Sequence, residues 1–423
     1  MITKVLQPKN LYKAYRKVVS NKGSAGVDGM AVKELRSYME AYRLDIVKSI
    51  ISGDYLASAI KGVEIPKASG GKRLLGVPTV VDRWLQQAVS QQLMTKFELE
   101  FSEHSYGFRP KKNLQQAVQQ SLEYINDGYQ DIVDIDLSKF FDEVQHYKIL
   151  QLIYEKVKCQ TTLRLIRKWL QAPILVNGVL ERRRKGVPQG SPLSPLLSNI
   201  LLDKLDKELE RKDLRFIRYA DDFSIYTKSK ATARRVGNEI YLFLRDKLSL
   251  PINRTKSGIR RPTTFSLLGH SFTPTYRKGE KGKYQLVVQK NRWESFKRKL
   301  KRITKKTLPY SFEERLQKLK KVWQGWINNF RLGSIYSKLK QLDEWLRNRL
   351  RYCIWHDWKK PERKRKNLIQ LGVEQGLAYA WSRSRMGSWA IAQSPILGTT
   401  ITISRLKRKG YLSMADYYLS VKV

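Results

Sequence analysis

Cysteine and histidine are scarce in this chain of 423 residues, which has two of the first and four of the second. Cys159 and Cys353 lie far apart, with no His or Cys beside them at zinc spacing. That pattern excludes a disulfide framework and a zinc module, and it fits a reducing cytoplasm. Long apolar runs are missing as well. No stretch reaches the roughly 18 residues a membrane helix needs, and no charged-then-apolar signal opens the chain. Fixed-period repeats and long low-complexity tracts are also lacking. Acid is the other shortage: 38 Asp+Glu stand against 82 Lys+Arg, a formal net charge of +44.

Hydrophobic residues make up 41% of the chain, enough for a folded protein of two or three domains. A compact body with this charge repels itself unless a polyanion neutralises it. Nucleic acid is the expected partner, because covering phosphates releases counterions. An anionic membrane surface is the other polyanion that such charge could meet. The charge is also uneven. Residues 1–250 hold 42 basic and 28 acidic residues, whereas residues 251–423 hold 40 and 10. An acid-containing front followed by a basic back suggests a catalytic domain ahead of nucleic-acid-holding ones.

Periodicity gives the coarse elements. The runs Val63–Pro66 and Arg73–Val77 flank Gly70-Gly71 and predict a hairpin. Helical spacing runs through 81–97, 193–209 and 233–248. Residues 131–137 alternate acid with branched apolar side chains, which predicts a strand. Residues 215–226 predict two short strands meeting at an acidic turn. From Trp293 the pattern is mostly helical, with amphipathic stretches at 315–330 and 335–358 and a break at Lys359-Lys360-Pro361. Strands interleaved with helices, then helices alone, give an α+β fold class with an all-α region behind it.

Transfer of a nucleotide to a growing strand asks the protein for two divalent ions about 4 Å apart, held by hard carboxylate oxygens. Two or three Asp side chains converging at strand ends are the expected signature. Asp221 and Asp222 sit together on a turn, and Asp136 ends a predicted strand. Strand neighbours point to opposite faces, so a tight hairpin is needed for both Asp221 and Asp222 to contribute. An Asp-Asp turn alone is an ordinary feature. On the hairpin, Lys67 and Arg73 flank the Gly turn and could close on a triphosphate. A solvated turn is the plain alternative.

The flanking sequence is more specific. Tyr219-Ala220-Asp221-Asp222 resembles the Tyr-x-Asp-Asp box of reverse transcriptases. The stretch 133–142, with Asp134, Asp136, Phe141 and Asp142, resembles the acidic strand that precedes it. The stretch 186–195, with Pro188-Gln189-Gly190, resembles the loop between the two, and 65–73 resembles the fingers motif. The resemblance implies a right-hand polymerase with two Mg²⁺ ions. Asp136, Asp221 and Asp222 would be catalytic and, with the Leu137 carbonyl, would hold the metals. Asp134 and Asp142 would be structural, or the alternative acids at this strand. Phe141 would be the steric gate that selects deoxynucleotides, and Gln189 would line the nucleotide pocket. Lys67, Arg73 and Lys256 would also meet the nucleotide, and 265–272 would grip the primer end.

Other blocks resemble mobile group II intron reverse transcriptases. They are 22–29 in an N-terminal extension, 77–83 and 105–110 in the fingers and palm, and 325–330 with 345–351 in the thumb or maturase X domain. The expected domains are therefore 1–285 for fingers and palm with the N-terminal extension, 286–361 for an all-α thumb, and 362–423 for a small basic DNA-binding-like domain. The implied protein is bacterial. It binds intron RNA to promote splicing and copies it into DNA by target-primed reverse transcription. Its partners are intron RNA, a DNA target or primer and deoxynucleoside triphosphates, and whether it forms a homodimer is left open by the sequence. Trp326, Trp345 and Trp355 are expected to pack inward, while Arg347, Arg351, Lys359 and Lys360 face nucleic acid. The Cys-rich endonuclease of many relatives has no counterpart here, which resembles the compact bacterial class. Two rivals remain: a retron or defence reverse transcriptase, which usually lacks this thumb, and a splicing factor whose polymerase has decayed.

Overall fold

The computed structural model describes residues 1–66, 70–276 and 282–422. The chain divides into two compact units, Met1–Arg261 and Pro262–Val423. The first contains β1 (Ile60–Pro66), β2 (Lys72–Val77), β3 (Asp131–Ile135), β4 (Ile174–Val176), β5 (Val179–Glu181), β6 (Arg215–Tyr219), β7 (Asp222–Thr227) and β8 (Gly258–Arg260). These strands form two four-stranded sheets among the described residues, ordered β2-β1-β4-β5 and β6-β7-β3-β8.

The second sheet is antiparallel throughout, and its middle is buried. In β7 every residue from Phe223 to Thr227 is buried, as are Ile132, Val133 and Ile135 of β3. Such a continuous run marks a central strand covered on both faces. The helices Ser194–Arg211 and Lys230–Leu242 share its apolar core through Leu197, Leu201, Val236 and Ile240. The helix Val80–Phe97 begins at Thr79, whose Oγ1 accepts the Asp82 backbone N–H. The Asp82 carboxylate is itself buried. It accepts from the Tyr55 hydroxyl at 2.7 Å, the Trp169 indole at 2.8 Å and the Ser58 backbone at 3.1 Å, so its burial is compensated. Two helices between β3 and β4 that the periodicity reading did not single out, His146–Val157 and Gln160–Gln171, complete this side.

The second unit opens with β9 (Ser266–Leu267), β10 (His270–Pro274) and β11 (Tyr284–Val288), an antiparallel sheet ordered β11-β10-β9. The helices Lys290–Ile303, Phe312–Phe330 and Tyr336–Asp357 follow. A capping box of Ser311 and Glu314 starts the second of these. Trp355 is fully buried, and Trp326 and Trp345 pack half-buried on the same core. Trp326 stacks flat on Phe296, with ring centroids 4.3 Å apart.

The sheet β9–β11 thus belongs with the helices, and the division falls ahead of the boundary at 285 read from the sequence. The stretch after 361 also shares the core of the long helices. Leu368, Leu406, Met414 and Tyr418 join one apolar cluster with Leu346 and Trp355. Asp343 ties the chain end down. Its buried carboxylate accepts from Tyr411 Oη (2.8 Å), Ser413 Oγ (2.9 Å) and the backbone N–H groups of Met414 (3.0 Å) and Ala415 (2.9 Å). Those N–H groups open the last helix, Met414–Val421, where a carboxylate is favoured. No described helix is long and apolar enough to cross a membrane.

Candidate active site

Strand register brings the three predicted carboxylates to one end of the β6-β7-β3-β8 sheet. Tyr219 pairs with Asp222, so β6 and β7 are joined by a two-residue loop, Ala220-Asp221. Ile135 pairs with Phe223, which sets Asp136, the next residue after β3, at the level of Asp222. The hairpin that both aspartates require is therefore present. Ala220 has φ +59°, a left-handed conformation that such loops demand of their first residue. Asp136 is fixed through its backbone. Its N–H donates to Ser257 Oγ at 3.0 Å, and its carbonyl accepts from Asn253 N–H at 2.8 Å. Leu137 is buried beside it in a bridge to Ile252.

The three acids feel each other. Desolvation, then Asp221, Asp136 and Asp134, push the Asp222 carboxyl up to about 6, although one edge of Asp222 is open to solvent. Asp221 is also raised, by burial first and by Asp136, against the opposing pull of Arg73 and Arg218. Lys256 answers part of this charge, with Nζ 3.7 Å from Asp136 Oδ2. Asp134 is held by Arg260 at 2.8 Å. Asp142 is exposed and lies in the field of Arg183. Among the described residues, no group of three or more His, Cys, Asp or Glu side chains is already gathered to hold a metal ion. The donors are all carboxylate oxygens, only partly compensated by Lys256, Arg73 and Arg218. That suits Mg²⁺, which keeps water and phosphate among its ligands.

Of the predicted nucleotide residues, Arg73, Phe141, Gln189 and Lys256 are described and lie in the first unit. Arg73 is exposed on β2, and its field reaches Asp221. Lys67 lies outside the described residues. The loop carrying Gln189 is pinned at both ends. The Gln189 carbonyl accepts from Gly76 N–H of β2 at 2.9 Å, and Val187 N–H donates to the Phe141 carbonyl at 2.7 Å. Gly186 (φ +85°) lets this loop close on Phe141, because a Cβ there would lie 2.9 Å from the Asp142 carbonyl oxygen. Phe141 is half-buried, edge-on to the buried Phe140 with centroids 5.3 Å apart.

Behind the acidic loop lies a network that sequence reading missed. Arg218 and Asp206 are both fully buried and bonded through two contacts, Nε–Oδ1 at 2.7 Å and Nη2–Oδ2 at 2.5 Å. The remaining donor, Nη1, reaches Asn199 Oδ1 at 2.9 Å and the Ala220 carbonyl at 3.0 Å. Asn199 in turn donates to the Gly107 carbonyl at 2.9 Å. Gly107 abuts the loop so closely that a Cβ would lie 2.2 Å from Ala220 N. Arg218 stands one residue before the box, and Gly107 stands inside the segment 105–110. Their proximity was the missing information, since no local pattern encodes it.

The predicted nucleic-acid contacts belong to the second unit. Lys359 and Lys360 are exposed at the turn before the helix Pro361–Gln370. Arg347 is half-buried beside Tyr411. Arg351 is also half-buried, and its guanidinium donates to the Ile401 carbonyl at 3.0 Å and to Asn348 Oδ1 at 2.7 Å.

Comparison with known proteins adds two matches. Residues 65–272 match the family model described as reverse transcriptase (RNA-dependent DNA polymerase). Residues 293–372 match the one described as group II intron, maturase-specific domain. Protein YkfC of Escherichia coli (strain K12) is 30% identical over 308 residues, covering 63% of this chain and 81% of its own length. The group II intron-encoded protein LtrA of Lactococcus lactis subsp. cremoris is 28% identical over 320 residues, covering 60% of this chain and 53% of its own. The putative COX1/OXI3 intron 2 protein of Saccharomyces cerevisiae is 28% identical over 336 residues, covering 65% of this chain and 38% of its own. The chain thus spans about half the length of LtrA. The maturase match falls on the segment that a retron-type enzyme is expected to lack. The acidic loop lies in the first matched segment and a maturase domain follows it, so this chain belongs to the group II intron-encoded reverse transcriptase/maturase family.

Proposed function

We propose that the chain is an RNA-directed DNA polymerase that copies a group II intron into DNA from a primer at the target site, and that it also holds the intron RNA for splicing. The observation that carries this reading is the meeting of Asp136, Asp221 and Asp222 at one sheet end, with their charge only partly compensated by Lys256 and Arg73. Asp136, Asp221 and Asp222, with the Leu137 carbonyl, would hold two magnesium ions. Bound there, these supply Lewis-acid activation of a primer 3′-hydroxyl and neutralise the triphosphate.

The chain's own residues do the rest. Arg73 and Lys67 bring positive charge to the triphosphate, where it stabilises charge developing in the transition state. Lys256, already beside Asp136, moves to phosphate oxygen once the carboxylates are engaged. Phe141 sets its ring where a ribose 2′-hydroxyl would sit, and Gln189 lines the base side of the pocket. In the second unit, Lys359, Lys360 and Arg347 meet phosphates, while Arg351 steadies its helix against Ile401.

Purified protein given a DNA primer on an RNA template with Mg²⁺ should add deoxynucleotides and discriminate against ribonucleotides. Failure to extend across a range of salt and metal, with intron RNA still bound, would leave the splicing-factor reading in its place.

A further inference from the structure

We propose a second RNA-binding groove on the first unit, formed by the helices His146–Val157 and Gln160–Gln171 and separate from the acidic sheet end. It takes an unpaired RNA strand, and it rests on the polymerase reading only for that strand being RNA.

The two helices enclose a groove of ≈ 760 Å³, joined at one end by Arg184. Tyr147, Gln151 and Tyr154 are spaced i, i+4, i+7 and so share one face of the first helix. Arg164 and Arg167 stand one turn apart on the second helix. Tyr147 is 62% exposed and Tyr154 45%, well beyond what packing on the core requires. The floor is apolar, formed by the buried Leu150 and Leu163.

Charge decides the class of ligand. No Asp or Glu lines the groove. Arg164, Arg167 and Arg184 are exposed and make no ion pair among the described residues. Of the acids near in sequence, Glu143 holds Lys185 at 2.6 Å, Glu155 faces Lys204 at 3.9 Å and accepts from the Gln151 amide at the groove edge (3.5 Å), and Glu181 is exposed at the end of β5. The neighbouring Arg183 turns inward onto the Gly186 carbonyl at 2.8 Å, so its partner Arg184 is left for the groove. Three exposed guanidinium groups around one concavity, that of Arg164 packed against Gly53, leave it positively charged and suited to an anion. Exposed aromatic rings beside them suit bases stacked along a phosphate backbone, as single-strand sites are built. The tyrosine hydroxyls and the Gln151 amide oxygen offer a donor and acceptors to a 2′-hydroxyl, which favours RNA over DNA.

The groove also adjoins the catalytic machinery. Gly186 N–H donates to the Val144 carbonyl at 2.7 Å, and His146 Nε2 lies 2.7 Å from the Gly186 carbonyl. The segment after Arg184 is therefore the same one that carries Gln189. A strand held here lies beside the pinned loop, on the unit that performs synthesis.

The test uses the full chain with a primer–template duplex already bound. A thiouridine-bearing single-stranded RNA is cross-linked by light, and the cross-linked peptides are mapped. Cross-links are expected on the peptide carrying Tyr147 and Tyr154, and a DNA strand of the same sequence should compete poorly. The combined variant Arg164→Gln, Arg167→Gln, Arg184→Gln should lose those cross-links and lower the salt slope of strand binding by about 2. Tyr147→Ala with Tyr154→Ala should weaken binding roughly tenfold or more at an unchanged slope. All five positions are exposed, and thermal melts of both variants check that the fold survives. Wild-type cross-links elsewhere only, cross-links that survive the arginine changes, equal competition by DNA, or tyrosines linked instead to a second copy of this chain would each overturn the groove. Primer extension by the wild type is read on the same sample. Its failure counts against the polymerase reading, and the cross-link map still decides the groove.

Discussion

Asp222 holds its proton more tightly in the folded chain than an ordinary carboxyl does, up to about 6, because burial and three neighbouring acids disfavour its charge. The sign of the consequence follows. An acid whose proton is bound more tightly folded than unfolded lowers stability once it ionises, so the metal-free protein loses stability as pH climbs through that value. Asp222→Asn should therefore melt higher than the wild type at about pH 7 without metal, and the gap should close towards about pH 4. Magnesium should raise the wild-type melting temperature more than the variant's. Equal melts at both pH values would mean that the acids are not crowded. A second residue-scale prediction concerns the pair behind the loop. Asp206→Ala leaves Arg218 buried without its partner and should cost about 3–5 kcal/mol in denaturant titration, whereas replacing both by apolar residues should recover much of that. The acids themselves were legible in the sequence, since carboxylates on alternating strands are a local pattern. The Arg218–Asp206–Asn199 network was not, because its members are joined only by the fold.

At the scale of elements, the β6–β7 hairpin and the β1–β2 hairpin follow from alternation and turn residues, and both formed where the pattern placed them. The helices His146–Val157 and Gln160–Gln171 were missed although their pattern is local. Ile149, Leu150, Ile153 and Val157 line one face of the first, and Leu163, Ile166, Trp169 and Leu170 one face of the second, so their apolar spacing was legible. β8 was also unread, since its three residues gain their identity from pairing with β3. The contact of Gly107 with the acidic loop belongs to this scale too. Gly107→Ala forces a Cβ against Ala220 N, so the loop must move and carry Asp221 with it. Extension should fall roughly a hundredfold in kcat, as expected for a displaced catalytic group, with little change in nucleotide KM. A variant with wild-type kcat would show that the loop tolerates the shift.

For the whole molecule, composition pointed to a polyanion partner, and the excess of basic residues after 250 pointed to a second part, where a separate unit and the maturase match are found. The division after Arg261 and the single core shared by residues 288–418 were not legible. Short helices such as Ile403–Arg408 have too little apolar surface to show which core they join. Asp343 makes the point. It reads as one acid on a basic helix, yet it gathers the chain end about itself. The central claim is that the chain separates its tasks: the acidic sheet end performs synthesis, and basic surfaces elsewhere hold RNA. The most direct measurement pairs RNA-templated primer extension with RNA binding for Asp221→Ala and the wild type. The account predicts that the variant loses extension and binds RNA as the wild type does. Extension that survives in Asp221→Ala, or RNA binding lost together with it, would contradict the account.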